Sequence, residues 1–153
     1  MRADLAVEFL PDVLACDGSA WATAVSSSMA PLIRPGDALR VVPVAAHALR
    51  PGAIVAYRAG AQLIVHRVVA RRFDGIVTRG DALHDADANV AWPQVIGRVT
   101  AIRTPAGRTL ELDRSPWAIL EPALGWLAGR EHDGWLAWKA WRAPFHIAAA
   151  LLR

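Results

Sequence analysis

The chain has 153 residues, 54% of them hydrophobic and 20% charged, which is enough for one compact domain with a buried core plus an appendage, at the apolar end for a soluble protein. The single cysteine, Cys16, excludes an internal disulfide framework. The formal charge of +3 comes almost wholly from arginines scattered over turns and strand ends, with no basic stripe or aromatic RNA motif, so nucleic acid is not the expected partner.

In chain order, Leu5 to Leu14 reads as a short helix or an irregular lead interrupted by Pro11, and Asp17-Gly18 as a turn. Residues 21 to 25 form a strand entering a serine-rich turn. From 38 to 103 short β-branched runs alternate with Pro-Gly, Gly60, Asp74-Gly75 and an acidic loop, the pattern of a small, coiled all-β domain. Arg103 to Arg114, with Pro105 and Gly107, suggests a final hairpin. Composition changes near Ser115-Pro116. The expected organisation is a lead over residues 1–20, a β domain over 21–114 and a Trp-rich helical extension over 115–153.

A serine hydroxyl becomes a nucleophile only when a neighbour removes its proton. For Ser28, at the end of Ser26-Ser27-Ser28, the composition narrows the choice. The one lysine, Lys139, lies in the tail, far along the chain, which leaves histidine as the natural base. His66 sits in Leu63-Ile64-Val65-His66-Arg67-Val68-Val69, a run that reads as a strand. Taken alone, a run of serines is a loop or cap, and a lone histidine on such a strand is a hydrogen-bonded structural residue. The loop Gly80-Asp81-Ala82-Leu83-His84-Asp85-Ala86-Asp87 offers three carboxylates that could orient an imidazole. His84 with Asp85 and Asp87 lacks a second nearby histidine or a cysteine and does not make a closed metal site, so neither metal nor cofactor is expected.

The wider pattern gives the pair its meaning. Ser28-Met29-Ala30-Pro31 comes first, followed by Pro35-Gly36-Asp37 with Leu39, Val41 and Val42, and then by the stretch Leu49 to Tyr57. Val65-His66-Arg67-Val68-Val69 is next, and Thr78-Arg79-Gly80-Asp81-Ala82 with Asp87, Val90 and Ile96-Gly97-Arg98-Val99 closes the series. This ordered set resembles the serine signal peptidase family, which shares its fold with the self-cleaving SOS-type repressors, over roughly residues 20 to 103. His66 stands where the type common in the bacterial envelope has Lys, and so resembles the archaeal, endoplasmic-reticulum and spore-former type. Ala53 stands where the family usually has Asp, and Ser27 where it usually has Gly.

The resemblance implies a mainly β, signal-peptidase-like domain and a serine endopeptidase that removes a leader or signal segment from a precursor polypeptide. Ser28 would be the nucleophile and His66 the general base. Asp87 best matches the catalytic acid, and Asp81 the second acidic position, supporting the site or sharing the orienting role. The oxyanion donors implied are the Ser28 backbone N–H and the Ser26 hydroxyl; the other reading of Ser26 is a turn hydroxyl. Asp85 is the spare carboxylate, expected to be solvated.

The tail holds Trp117, Trp126, Trp135, Trp138 and Trp141, and Trp135, Trp138, Trp141 or Arg142, and Phe145 follow helical spacing with Lys139 and Arg142 beside them. A basic helix with Trp on its face can lie at a membrane surface; the other reading is a helical pair packed over the β domain. No segment reaches the ~20 apolar residues needed to span a bilayer, and the lead, with Arg2, Asp4, Glu8 and Asp12, reads as neither anchor nor signal peptide. The expected location is therefore peripheral to a membrane or cytoplasmic. Two non-enzymatic readings stand beside the peptidase: an inactive module that captures extended peptides, and a membrane-surface adaptor driven by the Trp tail.

Overall fold

The computed structural model describes residues 3–129, 142–147 and 149–150. The lead is a helix, α1 (Ala3–Asp17), with Pro11 inside it. Leu10 and Leu14, one turn apart, are buried in the core while Pro11 is exposed, so packing holds the helix together across the hydrogen bond that proline removes. Gly18 ends it with a left-handed φ of 70° and an N–H donated to Leu14 O at 3.0 Å, a glycine cap of the αL kind.

The strands follow as β1 (Ala20–Thr23), β2 (Ala38–Val42), β3 (Ile54–Ala59), β4 (Gln62–Arg71), β5 (Gly75–Arg79), β6 (Val90–Ala91), β7 (Val95–Arg103) and β8 (Thr109–Glu111), then helix α2 (Trp117–Gly129). Residues 142–147 and 149–150 are also helical. The protein is thus mainly β, an eight-stranded antiparallel sheet in the order β1-β2-β7-β3-β4-β5-β6 with β8 added to β7. Register shifts at Arg40/Val41, Ala56/Tyr57 and Val68/Ala70 insert bulges, which bend the strands and coil the sheet. The turn at Asp74-Gly75 and the β7–β8 hairpin lie where the turn residues suggest them.

Because successive strand residues point to opposite faces, the sheet carries two apolar layers. One gathers Leu10, Leu14, Met29, Leu32, Ile33, Ile54, Ala56, Trp117, Leu124, Ala128 and Phe145, and so includes both helices and the C-terminal segment. The other gathers Leu49, Ala53, Val55, Tyr57, Val68, Ile76 and Val90. Ala53, the departure noted in the sequence, contributes its methyl to this second layer.

Helix α2 lies on the Pro51-Gly52 turn. A Cβ on Gly125 would stand 2.2 Å from Gly52 N, and one on Gly52, at φ 103°, would stand 1.9 Å from Glu121 O, so the close approach requires glycine on both sides. Arg98 Nη2 donates to Glu121 Oε2 at 2.5 Å and ties the same helix to β7. In α2 Trp117 is buried and Trp126 exposed. Trp135, Trp138, Trp141 and Lys139, to which the membrane-surface reading was attached, lie outside the described residues. No helix among the described residues is long and apolar enough to cross a membrane.

Candidate active site

Residues 24–37 form a closed loop between β1 and β2. Ala24 N–H donates to Asp37 O and Gly36 N–H to Ala24 O, both at 2.8 Å, and the buried Asp37 carboxylate accepts the Arg34 N–H at 2.8 Å. Met29, Leu32 and Ile33 anchor the loop in the core, leaving Ser26 and Ser27 exposed and Ser28 half-buried. Among the described residues a positive φ occurs at glycines alone, so Ser27 occupies its place in the turn without left-handed backbone strain.

His66 lies on β4 opposite Val55 of β3, and its side chain shares a sheet face with Tyr57 and Thr78. Tyr57 pairs with Ile64 and Thr78 with Val68, each two residues along β4 from His66, so both are its diagonal cross-strand neighbours. The imidazole side chain is 7% exposed and bridges two partners. His66 Nε2 is 3.1 Å from Ser28 Oγ, and His66 Nδ1 is 2.5 Å from Asp87 Oδ2. An ionised carboxylate only accepts hydrogen bonds, so the Nδ1 proton points at Asp87. In the neutral imidazole this leaves Nε2 bare, facing the serine hydroxyl as an acceptor.

Asp87 Oδ2 also accepts Thr78 Oγ1–H at 2.7 Å and Tyr57 O–H at 3.1 Å. Burial works to raise the Asp87 carboxyl. The bonds from His66 and Thr78, the His66 charge and the Tyr57 bond outweigh it and hold the group below its ordinary value of 3.8. Tyr57 responds in the opposite sense, its phenol pushed up to about 12 by burial and by the neighbouring Asp87 charge. Tyr57 is therefore a neutral donor to the Asp87 anion at neutral pH.

Asp81 goes elsewhere. It accepts a two-point grip from Arg67, Nε to Oδ1 at 2.8 Å and Nη2 to Oδ2 at 2.7 Å, while Arg67 Nη1 donates to Gly52 O at 2.8 Å. The side chains are 2% and 0% exposed. Asp81 thus supports the site from the far side of β4 and makes no contact with the His66 ring that would share the orienting role. The next residue completes the support, because Ala82 N–H donates to Ser28 O at 2.8 Å. A Cβ on Gly80 would meet Ser28 O at 2.6 Å, so the acidic loop approaches the Ser28 backbone as closely as glycine permits.

Ser26 Oγ lies 3.2 Å from Ser28 Oγ, beside the atom that would attack. Asp85 is 96% exposed and faces His84 across 3.1 Å on the loop surface. The arrangement therefore brings Ser28, His66, Asp87 and Ser26 together and sets Asp81 behind them. Tyr57 and Thr78 were not singled out for a role from sequence. The register of β3 and β5 against β4 is the signal that would have found them, and it is set by long-range pairing.

Chemically, this is a hydroxyl, a base and an orienting anion in a hydrogen-bonded series, suited to acyl transfer. Comparison with known proteins gives no matching family model and no matching curated protein.

Proposed function

We propose that the protein is a serine endopeptidase of signal-peptidase type that removes a leader or signal segment from a precursor polypeptide. The observation that carries this reading is the series from Ser28 Oγ through both nitrogens of His66 to Asp87, with spacings of 3.1 and 2.5 Å. The choice of a peptide substrate rests on the ordered sequence boxes that resemble the signal peptidases of Ser-His type.

Ser28 Oγ attacks the scissile carbonyl carbon as its proton passes to His66 Nε2. The oxyanion is held by the Ser28 N–H and the Ser26 hydroxyl, donors of a kind worth about 10²–10³ in rate each. The imidazolium, steadied by Asp87, then protonates the leaving amine and the C–N bond breaks, leaving the acyl group on Ser28. Water enters, gives a proton to His66 and attacks the acyl carbon, and the returning proton frees Ser28.

Mass spectrometry of a mixed pool of leader-bearing and signal-bearing peptides, incubated with wild type and with Ser28→Ala, tests the proposal. Cleavage by wild type alone supports it and gives the sequence preference, with His66→Ala equally inactive and still folded. Peptide retention without turnover by a folded wild type would overturn the enzyme in favour of the binding module.

A further inference from the structure

Residues 142–147 are distant in sequence from the serine loop, yet two of their side chains reach its supports. Phe145 is fully buried, and the Arg67 guanidinium carbon lies 5.2 Å from its ring centroid. Arg142 Nη2 donates to Ala30 O at 3.4 Å, just beyond Met29, the neighbour of the nucleophile. Phe145 belongs to the same core layer as Met29, Leu32 and Ile33, the residues that anchor the loop.

Arg67 is where these contacts converge on the site. It follows His66 directly, and its side chain points to the other face of β4. Taking a guanidinium out of water is costly unless each donor is satisfied. In its plane, Arg67 meets Asp81 at two points and Gly52 O at a third. The faces of a guanidinium offer no donors, and an aromatic ring is the side chain whose charge distribution attracts a cation there, most strongly where water is excluded. A leucine would keep a smaller apolar side chain there without that attraction. Beyond Arg67 the series continues through Asp81 to the Ala82 N–H and on to Ser28 O.

We propose that Phe145 is a positioning residue for the nucleophile, acting through Arg67, Asp81 and the Ala82 amide, with Arg142 as a second hold on the serine loop at Ala30. The C-terminal helical segment is then part of the active-site scaffold. The kinetic side of this inference rests on the proposed peptidase reaction; the structural side rests on the contacts alone.

The test uses the full chain carrying Phe145→Leu, checked by its denaturation midpoint, with amide hydrogen exchange followed residue by residue. Ala82, Ala30 and Ile33 are expected to exchange at least about tenfold faster, beyond any change in the β3 amides, the scale expected from a desolvated cation–π contact. On a peptide that wild type cleaves, kcat is expected to fall about tenfold with KM unchanged. Exchange that rises evenly over the whole core, or kcat per folded molecule equal to wild type, would reduce Phe145 to core packing and overturn the proposal. If wild type cleaves nothing in the pool, the peptidase reading fails while the exchange pattern still decides this one. Should Phe145→Leu not fold, Phe145→Met, which keeps an unbranched apolar side chain without the ring, takes its place, with faster exchange at Ala82 expected and unchanged exchange there overturning the inference.

Discussion

Asp81 and Asp87 leave the same loop between β5 and β6 and bind neighbouring residues of β4, yet their surroundings differ in kind. Asp87 is partly open to solvent and gathers His66, Thr78 and Tyr57 on one oxygen. Asp81 is fully enclosed and spends both oxygens on Arg67. Strand alternation explains the division, since His66 and Arg67 must point to opposite faces. One carboxylate is left beside the imidazole that faces Ser28, and the other is enclosed with a fixed counter-charge. The lesson is that two like residues in one loop can divide into a chemical and a mechanical role through a one-residue step on the strand they meet.

The largest expected effect that would break this contrast is on turnover. Asp87→Asn should lower kcat by about 10²–10⁴, because the imidazole loses the anion that fixes its tautomer and steadies its cation, with the fold retained. Asp81→Asn should act mainly on stability, costing about 3 kcal/mol or more in chemical denaturation, since Arg67 would keep its charge in a site without a counter-charge, and should lower kcat by much less than Asp87→Asn, through the Ala82 support of Ser28 alone. If the two variants exchanged these phenotypes, the division of roles would be wrong.

Acid sharpens the same contrast. The Asp87 carboxyl is held below 3.8 in the folded protein, so the folded state binds fewer protons there than the unfolded chain does. Its stabilising contribution is complete above the unfolded value and is lost as pH falls through the lower folded one. The stability gap between wild type and Asp87→Asn should therefore close as pH drops below about 4, measured as denaturant midpoints across an acid series. A constant gap would mean that Asp87 has no favourable partners in the fold.

Tyr57 provides a spectroscopic check, because it is the one tyrosine in the chain. Its phenolate absorbance should emerge near pH 12 in the folded protein and earlier in Asp87→Asn, though still above the ordinary 10.0, because burial is the larger cause and survives the substitution. Tyr57→Phe should lower kcat by less than Asp87→Asn does, as it removes one of the donors on Oδ2 and leaves the His66 and Thr78 bonds. At the bottom of the series, Asp85→Ala should leave turnover and stability nearly as they were, within about 0.5 kcal/mol, as suits an exposed loop carboxylate. A large loss there would move the orienting role away from Asp87.

Much of this was legible before folding was considered. Gly and Pro punctuation marked the strand boundaries, and the β-branched runs marked strands, because both act through local backbone preference. The pairing of Ser28 with His66, and Asp87 as the best-matched acid, came from residue types and the order of the boxes. Less legible was Asp81, for which supporting the site and sharing the orienting role were both open readings; the sequence does not say which face of β4 a loop residue will meet. Tyr57 and Thr78 looked like ordinary strand residues, since their approach to Asp87 depends on the register of three strands. Arg67 looked like an ordinary member of its box. Its burial follows from a counter-charge, a carbonyl and an aromatic ring supplied by three distant stretches of chain.

The sequence by itself determined a mainly β chain, because turn chemistry and β-branched runs act locally, and it pointed to Ser28 and His66 as the pair worth testing through the scarcity of lysine and the resemblance of the ordered boxes to the signal peptidases. Only the tertiary structure decided which carboxylate faces the imidazole, which is locked behind it, and that Phe145 covers Arg67. Those outcomes depend on strand register and on the close glycine contact of α2 with the Pro51-Gly52 turn, and both are set by how apolar faces bury one another across long stretches of chain.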